Sequence, residues 1–409
     1  MYDHRKLGRE LGIFDTDPLV GAGLPYWLPA GAAIRHALEC FIRELERRAG
    51  YQHVYSPVLG KRELYEISGH WEHYRDGMYP PMAIGAGTAA VEQVLLRPSL
   101  CPHHAVMYRS RAHSYRELPL RLAELGGQYR SELSGVVGGL SRVRAMQLND
   151  AHIFCTPDQV AAEAAAALAM IGRAHRALGI EPSRYRLSLA SPAAKYEGSP
   201  DMWDRATAIL RDVLTSAGIE YEAEEGEAAF YGPKIDVQVA DSAERETSIA
   251  TIQVDFYQPD RFALAYIGVD GSRLRPVMVH RSVIGSAERM VAHLLEVHGG
   301  AFPPWLAPVQ LVALPVTNDQ VQSAEQLAQR AVQLGLRAEV ASEGSLAARI
   351  REHRLVPYQL VIGKAEAAAD QASIRLRDGR KLPPMPMAEA LARIDCEVAK
   401  CSPQLWASE

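Results

Sequence analysis

Two textures of hydrophobic and polar positions divide this chain. Residues 228–240 and 248–257 alternate apolar with polar side chains. Period two is the mark of half-buried antiparallel strands, because successive side chains point to opposite faces. Strong helix formers lie beside these segments: 160–177, VAAEAAAALAMIGRAHRA, reads as a helix covering a sheet, and 31–49 as a second long helix. Residues 83–91, AIGAGTAAV, lack either period and are expected as a loop. A proline-rich break follows at 301–308, AFPPWLAP, and the pattern then changes. Short apolar runs at 309–314, 337–340, 358–363 and 373–377 read as strands, with helices over 318–335, 345–353 and 387–399. The expected fold class is α+β: an antiparallel-sheet domain with flanking helices over 1–303, then a small α/β domain over 304–409. The length of 409 residues also asks for two domains, since single cores stop growing at roughly 250–300 residues.

Candidate chemistry concentrates in residues 124–155, ELGGQYRSELSGVVGGLSRVRAMQLNDAHIFC. Arg130 and Glu132 are expected to leave a short strand, and the glycine-rich run 134–139 to reverse the chain, because glycine tolerates positive φ. Arg142-Val143-Arg144 would then begin the return strand, where period two puts Arg142 and Arg144 on one face. A planar, permanently charged guanidinium holds phosphate through two hydrogen bonds and neutralises charge developing on it. Solvated ion pairs with neighbouring carboxylates are the alternative reading of such arginines.

Bulk properties narrow the function classes. A net charge of −5 argues against blanket binding of a polyanion, so any nucleic-acid contact must come from local basic patches. The five cysteines, Cys40, Cys101, Cys155, Cys396 and Cys401, are scattered and odd in number, which suits reduced thiols or a metal ligand better than a disulfide framework. There is no 18-residue apolar run, and MYDHRKLGRELG has neither a signal core nor the character of a transit segment; no membrane association and a cytoplasmic location are expected.

Several segments together resemble the class II aminoacyl-tRNA synthetases, and among them the threonyl enzymes. Helix 31–49 leading to Tyr55-Ser56-Pro57 is similar to motif 1, Tyr129-Arg130-Ser131-Glu132 to motif 2, and Gly285-Ser286-Ala287-Glu288-Arg289 to motif 3. YDHRKLGR at 2–9, Ser68-Gly69-His70-Trp71 and GEAAFYGPK at 226–234 resemble segments of threonyl enzymes, so the likeness spans nearly the whole chain. It implies ATP-dependent activation of threonine to threonyl-adenylate and transfer to the 3′ end of tRNA(Thr), by a homodimer joined through 31–57. Because the chain begins at the catalytic segment, a form without the amino-terminal editing domains is implied. The alternative is a synthetase-like paralogue that serves a non-tRNA acceptor or is an inhibitor-resistant duplicate.

The resemblance also implies roles. Arg130 would hold the amino-acid carboxylate and α-phosphate, Arg289 the γ-phosphate and Arg142 further phosphate, with Glu132 near the adenine and Gln253 and Ser286 completing the ATP site. Mg²⁺ would enter with ATP. Cys101, His152 and His280 stand where threonyl enzymes carry the ligands of one Zn²⁺; three nitrogen and sulfur ligands leave a tetrahedral position open for substrate. Asp150, Tyr231, Lys234 and Gln253 would line the amino-acid pocket, and His70 would lie near the 3′ end of tRNA. Arg351, Arg375 and Arg377 are the candidates for anticodon contact, since arginine is a common partner of unpaired bases. Leu148 stands where the family has glutamine, with Gln147 one position early.

Overall fold

The computed structural model describes residues 2–85, 92–191, 196–241 and 244–406. Its largest sheet has eight strands in the spatial order Tyr221–Glu225, Arg184–Leu189, Lys234–Ala240, Glu246–Asp255, Val277–Ser282, Ala145–Cys155, Leu120–Tyr129 and Gln52–His53. The internal pairings are antiparallel, as the alternation predicts, while the pair at each edge is parallel. Helix Pro200–Ser216 lies between the parallel strands Arg184–Leu189 and Tyr221–Glu225, making a crossover unit absent from the antiparallel expectation.

Period two sorts the sheet into two faces. Ile235, Val237, Ile252, Val254, Val277, Val279, Ala151 and Ile153 are buried in one core with the apolar stripes of helices Pro29–Arg48, Val160–Leu178, Pro200–Ser216 and Ala287–His298. The intervening positions face the other way. Part of that face, including Leu120, Leu122, Phe154 and Met278, forms a second core with Ala105 and Tyr108 of helix Cys101–Arg109. The remainder carries polar side chains.

A buried ion pair ties helix Pro29–Arg48 to the sheet. Glu46 accepts from Arg281 at 2.7 Å, from Asn149 Nδ2 at 2.7 Å, and lies 2.6 Å from His53 Nε2. Burial pushes the Glu46 carboxyl up, but Arg281, His53 and Asn149 outweigh it and hold it at about 2. That folded-state value lies below the ordinary 4.5, so the stabilisation is complete above pH 4.5 and is lost as pH falls towards 2. Glu46→Gln is expected to cost about 3 kcal/mol at pH 7, because it leaves Arg281 buried and uncompensated. It should also flatten the fall in stability between pH 7 and pH 3. Urea titrations of both proteins at the two pH values check this; parallel losses would contradict it.

Beyond the proline-rich break lies a five-stranded mixed sheet in the order Ala338–Val340, Leu311–Pro315, Tyr358–Ile362, Gln371–Leu376 and Lys381–Pro386. Leu311, Leu360 and Ile374 pack with Leu327 of helix Val321–Gln333 and Leu391 and Ile394 of helix Met387–Ala399. All the elements expected here form, with ends displaced by a few residues, and helix Lys364–Ala368 and strand Lys381–Pro386 are additional. The loop expected over 83–91 is corrected in part: Met82–Ile84 is a strand paired with Glu92–Leu96, and 86–91 lies outside the described residues.

Candidate active site

Strand register assembles the site. Lys234 pairs with Gln253, Gln253 with His280, and His280 with His152, so four residues from across the sequence form one row on the polar face. Helix Cys101–Arg109 brings Cys101 over this row. The candidate metal atoms of Cys101, His152 and His280 all lie within 4.8 Å of one another, and the three residues are buried. Burial raises the Cys101 thiol and holds His152 well below its usual range. His280 Nε2 lies 2.9 Å from Asp255 Oδ2, and its ring stacks on Tyr231 with centroids 4.7 Å apart. The Tyr231 hydroxyl donates to Gln253 Oε1 at 2.5 Å, and burial raises it far above the ordinary phenol.

Asp150 lies beside this cluster, accepting from Gln128 Nε2 at 3.4 Å, with burial raising its carboxyl. Lys234 donates to Asp236 at 2.7 Å. His70 sits closer to the cluster than its sequence context suggests: Nε2 is 3.7 Å from Cys101 Sγ and Nδ1 is 2.9 Å from Ser68 Oγ. Burial, then the positive groups around it, pull His70 down to about 3, so it is a neutral imidazole at pH 7.

Arg130 leaves strand Leu120–Tyr129 at the meeting point of three cavities. One, of about 340 Å³, is lined by Asp150, Tyr231, Gln253, His280 and Arg289; the second, of about 610 Å³, by Glu132, Arg142 and Arg289; the third, of about 420 Å³, by His70, Tyr231 and Lys234. Arg130 lines all three, and its Nε has no hydrogen-bond partner among the described residues. Arg289 follows Ser286, the cap of helix Ala287–His298, whose Oγ accepts from Arg289 N at 3.1 Å. Gly285 precedes the cap at φ 61, where a Cβ would stand 3.0 Å from the Ile249 carbonyl oxygen. Burial, then the charges of Arg130 and Arg142, lower Arg289. This convergence of cations suits a polyanionic ligand.

The hairpin departs from its expected form. Strand Leu120–Tyr129 is ten residues long, and the return strand starts at Ala145. Arg142 and Arg144 therefore lie in an irregular segment and do not share a face. Arg142 is ion-paired with Glu132 at 2.9 Å, whereas Arg144 donates to the carbonyls of Glu132 and Ala22. Leu148 lines the smallest of the three cavities, and Gln147 turns away to donate to the Leu125 carbonyl. The anticodon candidates are dispersed: Arg351 is exposed on helix Leu346–Glu352, Arg375 lies on strand Gln371–Leu376, and Arg377 turns inward to donate to the Phe302 carbonyl.

Comparison with known proteins matches this architecture. The tRNA synthetase class II core domain (G, H, P, S and T) matches residues 88–298, and an anticodon binding domain matches 310–397. The RNA binding domain of threonyl-tRNA synthetase from Cryptosporidium parvum superposes with a TM-score of 0.90 at 34% identity, covering 97% of this chain and 98% of that one. The chain belongs to the threonyl-tRNA synthetase family. Among curated threonyl-tRNA synthetase relatives, threonine–tRNA ligase of Geobacillus sp. (strain WCH70) is 45% identical over 404 residues, and threonine–tRNA ligase 1 of Bacillus subtilis is 46% identical over 379. These alignments take in 97% and 91% of this chain but 62% and 58% of the relatives. Prolyl-tRNA synthetase of Giardia lamblia, at 17% identity and a TM-score of 0.75, shares the fold.

The threonyl-tRNA synthetase motifs did not point to several residues that the structure adds to the site. Asp255 beside His280, Gln128 beside Asp150, and His104 beside His152 carry no spacing signal, because cross-strand register and a packed helix create these neighbours.

Proposed function

We propose that this chain is a threonine–tRNA ligase. The observation that carries the reading is the contact between two chemistries: His280, of the Cys101, His152 and His280 cluster, lines the cavity that Arg130 and Arg289 also line. The cluster fits Zn²⁺. Its donors are one sulfur and two nitrogens, and His152 Nε2 is buried without a hydrogen-bond partner among the described residues. Zn²⁺ held by Cys101, His152 and His280 would supply Lewis-acid binding of the amino and hydroxyl groups of threonine.

The protein groups then divide the work. Asp150 accepts from the threonine hydroxyl or amino group, with Tyr231 and Gln253 closing the pocket around it. Valine, lacking the hydroxyl, leaves these buried partners unpaired and is rejected strongly; serine differs by one methyl, worth about 1–3 kcal/mol. Arg130 bridges the threonine carboxylate and the α-phosphate of ATP brought in with Mg²⁺, and Arg142 and Arg289 take the other phosphates. The carboxylate oxygen attacks the α-phosphorus in line and pyrophosphate leaves, a step that demands positioning and charge neutralisation more than a base. A ribose hydroxyl at the 3′ end of tRNA(Thr) then attacks the adenylate carbonyl, AMP leaves, and neutral His70 stands within the cavity that receives this end.

The same reading divides the chain at 303/304 into catalytic and anticodon-binding domains and assigns Arg351, Arg375 and Arg377 to tRNA. It pairs two copies through 31–57 and locates the enzyme in the cytoplasm. Among the described residues no helix is long and apolar enough to cross a membrane. Attachment of labelled threonine to unfractionated tRNA tests the reading, and a zinc-replete protein that charges none would sink it.

A further inference from the structure

Next to the metal cluster lies a chain of buried polar groups, none of which lines the three cavities described above. His152 Nδ1 stands 2.8 Å from His104 Nδ1, and His104 Nε2 stands 3.3 Å from Glu124 Oε2. Glu124 also accepts from Arg97 at 3.0 Å and from Ser56 Oγ at 2.6 Å. Arg97 in turn donates to the Gly127 carbonyl at 2.6 Å and to the Ser56 carbonyl at 3.1 Å. His152 and His104 are 0% exposed, Glu124 3% and Arg97 1%. Charged groups so fully withdrawn from water are retained only where every partner is in place.

The direction of each hydrogen bond follows from the last acceptor. A carboxylate facing a guanidinium only accepts, so His104 donates through Nε2 and its Nδ1 carries a lone pair. That lone pair requires His152 to donate through Nδ1. The remaining lone pair of His152 then lies on Nε2, which has no hydrogen-bond partner among the described residues, with Asp150 Oδ1 3.7 Å away and Cys101 and His280 completing the cluster. We infer that His104 is a positioning residue for the metal: with Glu124 behind it, it fixes the tautomer and ring orientation in which His152 offers Nε2 as a ligand. His280 has a shorter version of the same support, with its Nε2 2.9 Å from Asp255. Because Ser56 follows helix Pro29–Arg48, the chain also fastens the cluster to the segment assigned to the subunit interface. The inference rests on the zinc reading above.

The test compares zinc retention in wild type, His104→Leu and His104→Gln, by transfer of the metal to excess chelator at fixed pH. Leucine removes the acceptor for His152; glutamine replaces it, since its carbonyl accepts and its amide donates to Glu124. Loss of one outer partner of a ligating histidine weakens metal affinity about 10–100-fold. His104→Leu is expected to show a loss of that order while keeping ATP binding, and His104→Gln to recover most of the affinity. Equal retention by His104→Leu and wild type overturns the inference and leaves the zinc reading standing, whereas a wild type that holds no zinc overturns both. Should His104→Leu fail to fold, nitrogen spectra of ¹⁵N-histidine-labelled wild type decide alone. His152 protonated at Nδ1 and His104 at Nε2 support the inference, and the reverse assignment overturns it.

Discussion

Arg130→Ala is expected to lower threonine-dependent adenylate formation by about 10³-fold while leaving the protein folded. The size follows from position. Arg130 faces all three cavities, where on the proposed reading the carboxylate and phosphate would meet, and one preorganised donor in such a site is worth about 10²–10³ in rate. A guanidinium that also carries full charge belongs at the upper end. The small effect on folding follows from its contacts. Its side chain lies over the ring of Tyr74 at 5.8 Å and its Nε is unpaired among the described residues, so truncation removes little that the protein itself uses. Arg144, fourteen residues further on and engaged with the backbone carbonyls of Glu132 and Ala22, supplies the contrast: Arg144→Ala should disturb the hairpin and stability more than the chemistry. Pyrophosphate exchange and thermal melting of both variants check the pair, and a loss of under tenfold for Arg130→Ala would remove it from the reacting centre.

Cys101→Ala is expected to abolish bound zinc and to lower threonine activation by about 10³-fold, since polarisation and orientation by a metal are worth several kcal/mol. Cys101 is the one sulfur in the cluster of candidate ligands, and its burial raises the thiol and shields it from surface reactivity. ATP binding should persist, because Arg130, Arg142 and Arg289 reach the cavities from other elements. Metal analysis beside threonine-dependent exchange checks this. Full activation by a zinc-free variant would show that the pocket recognises threonine without the metal.

Much of this site could be read from the chain alone. Lys234 and Gln253 lie on strands whose alternation is legible at 228–240 and 248–257, whereas His152 and His280 in the same row enter only through the family resemblance. The supports behind them were not legible. Asp255 and Glu124 reach their histidines across strand register and packing, which spacing along the chain does not encode. Period two does not place Arg142 and Arg144 on one face, because Ala145, not Arg142, begins the return strand and the alternation does not extend into an irregular turn. Strand Lys381–Pro386 is not legible in the sequence for a different reason: KLPPMP has three prolines, and such a segment is tolerated only because it forms the sheet edge. The crossover pair Arg184–Leu189 and Tyr221–Glu225 joins in parallel through a helix, an arrangement that a period-two reading of separate strands does not reveal.

Charging of unfractionated tRNA by zinc-replete protein and ATP, with labelled threonine and labelled serine in parallel, tests the central claim most directly. Efficient threonylation with weaker serylation is the expected result. Threonine-dependent pyrophosphate exchange without attachment of either amino acid to tRNA would contradict it, and would mean that the activated threonine goes to another acceptor.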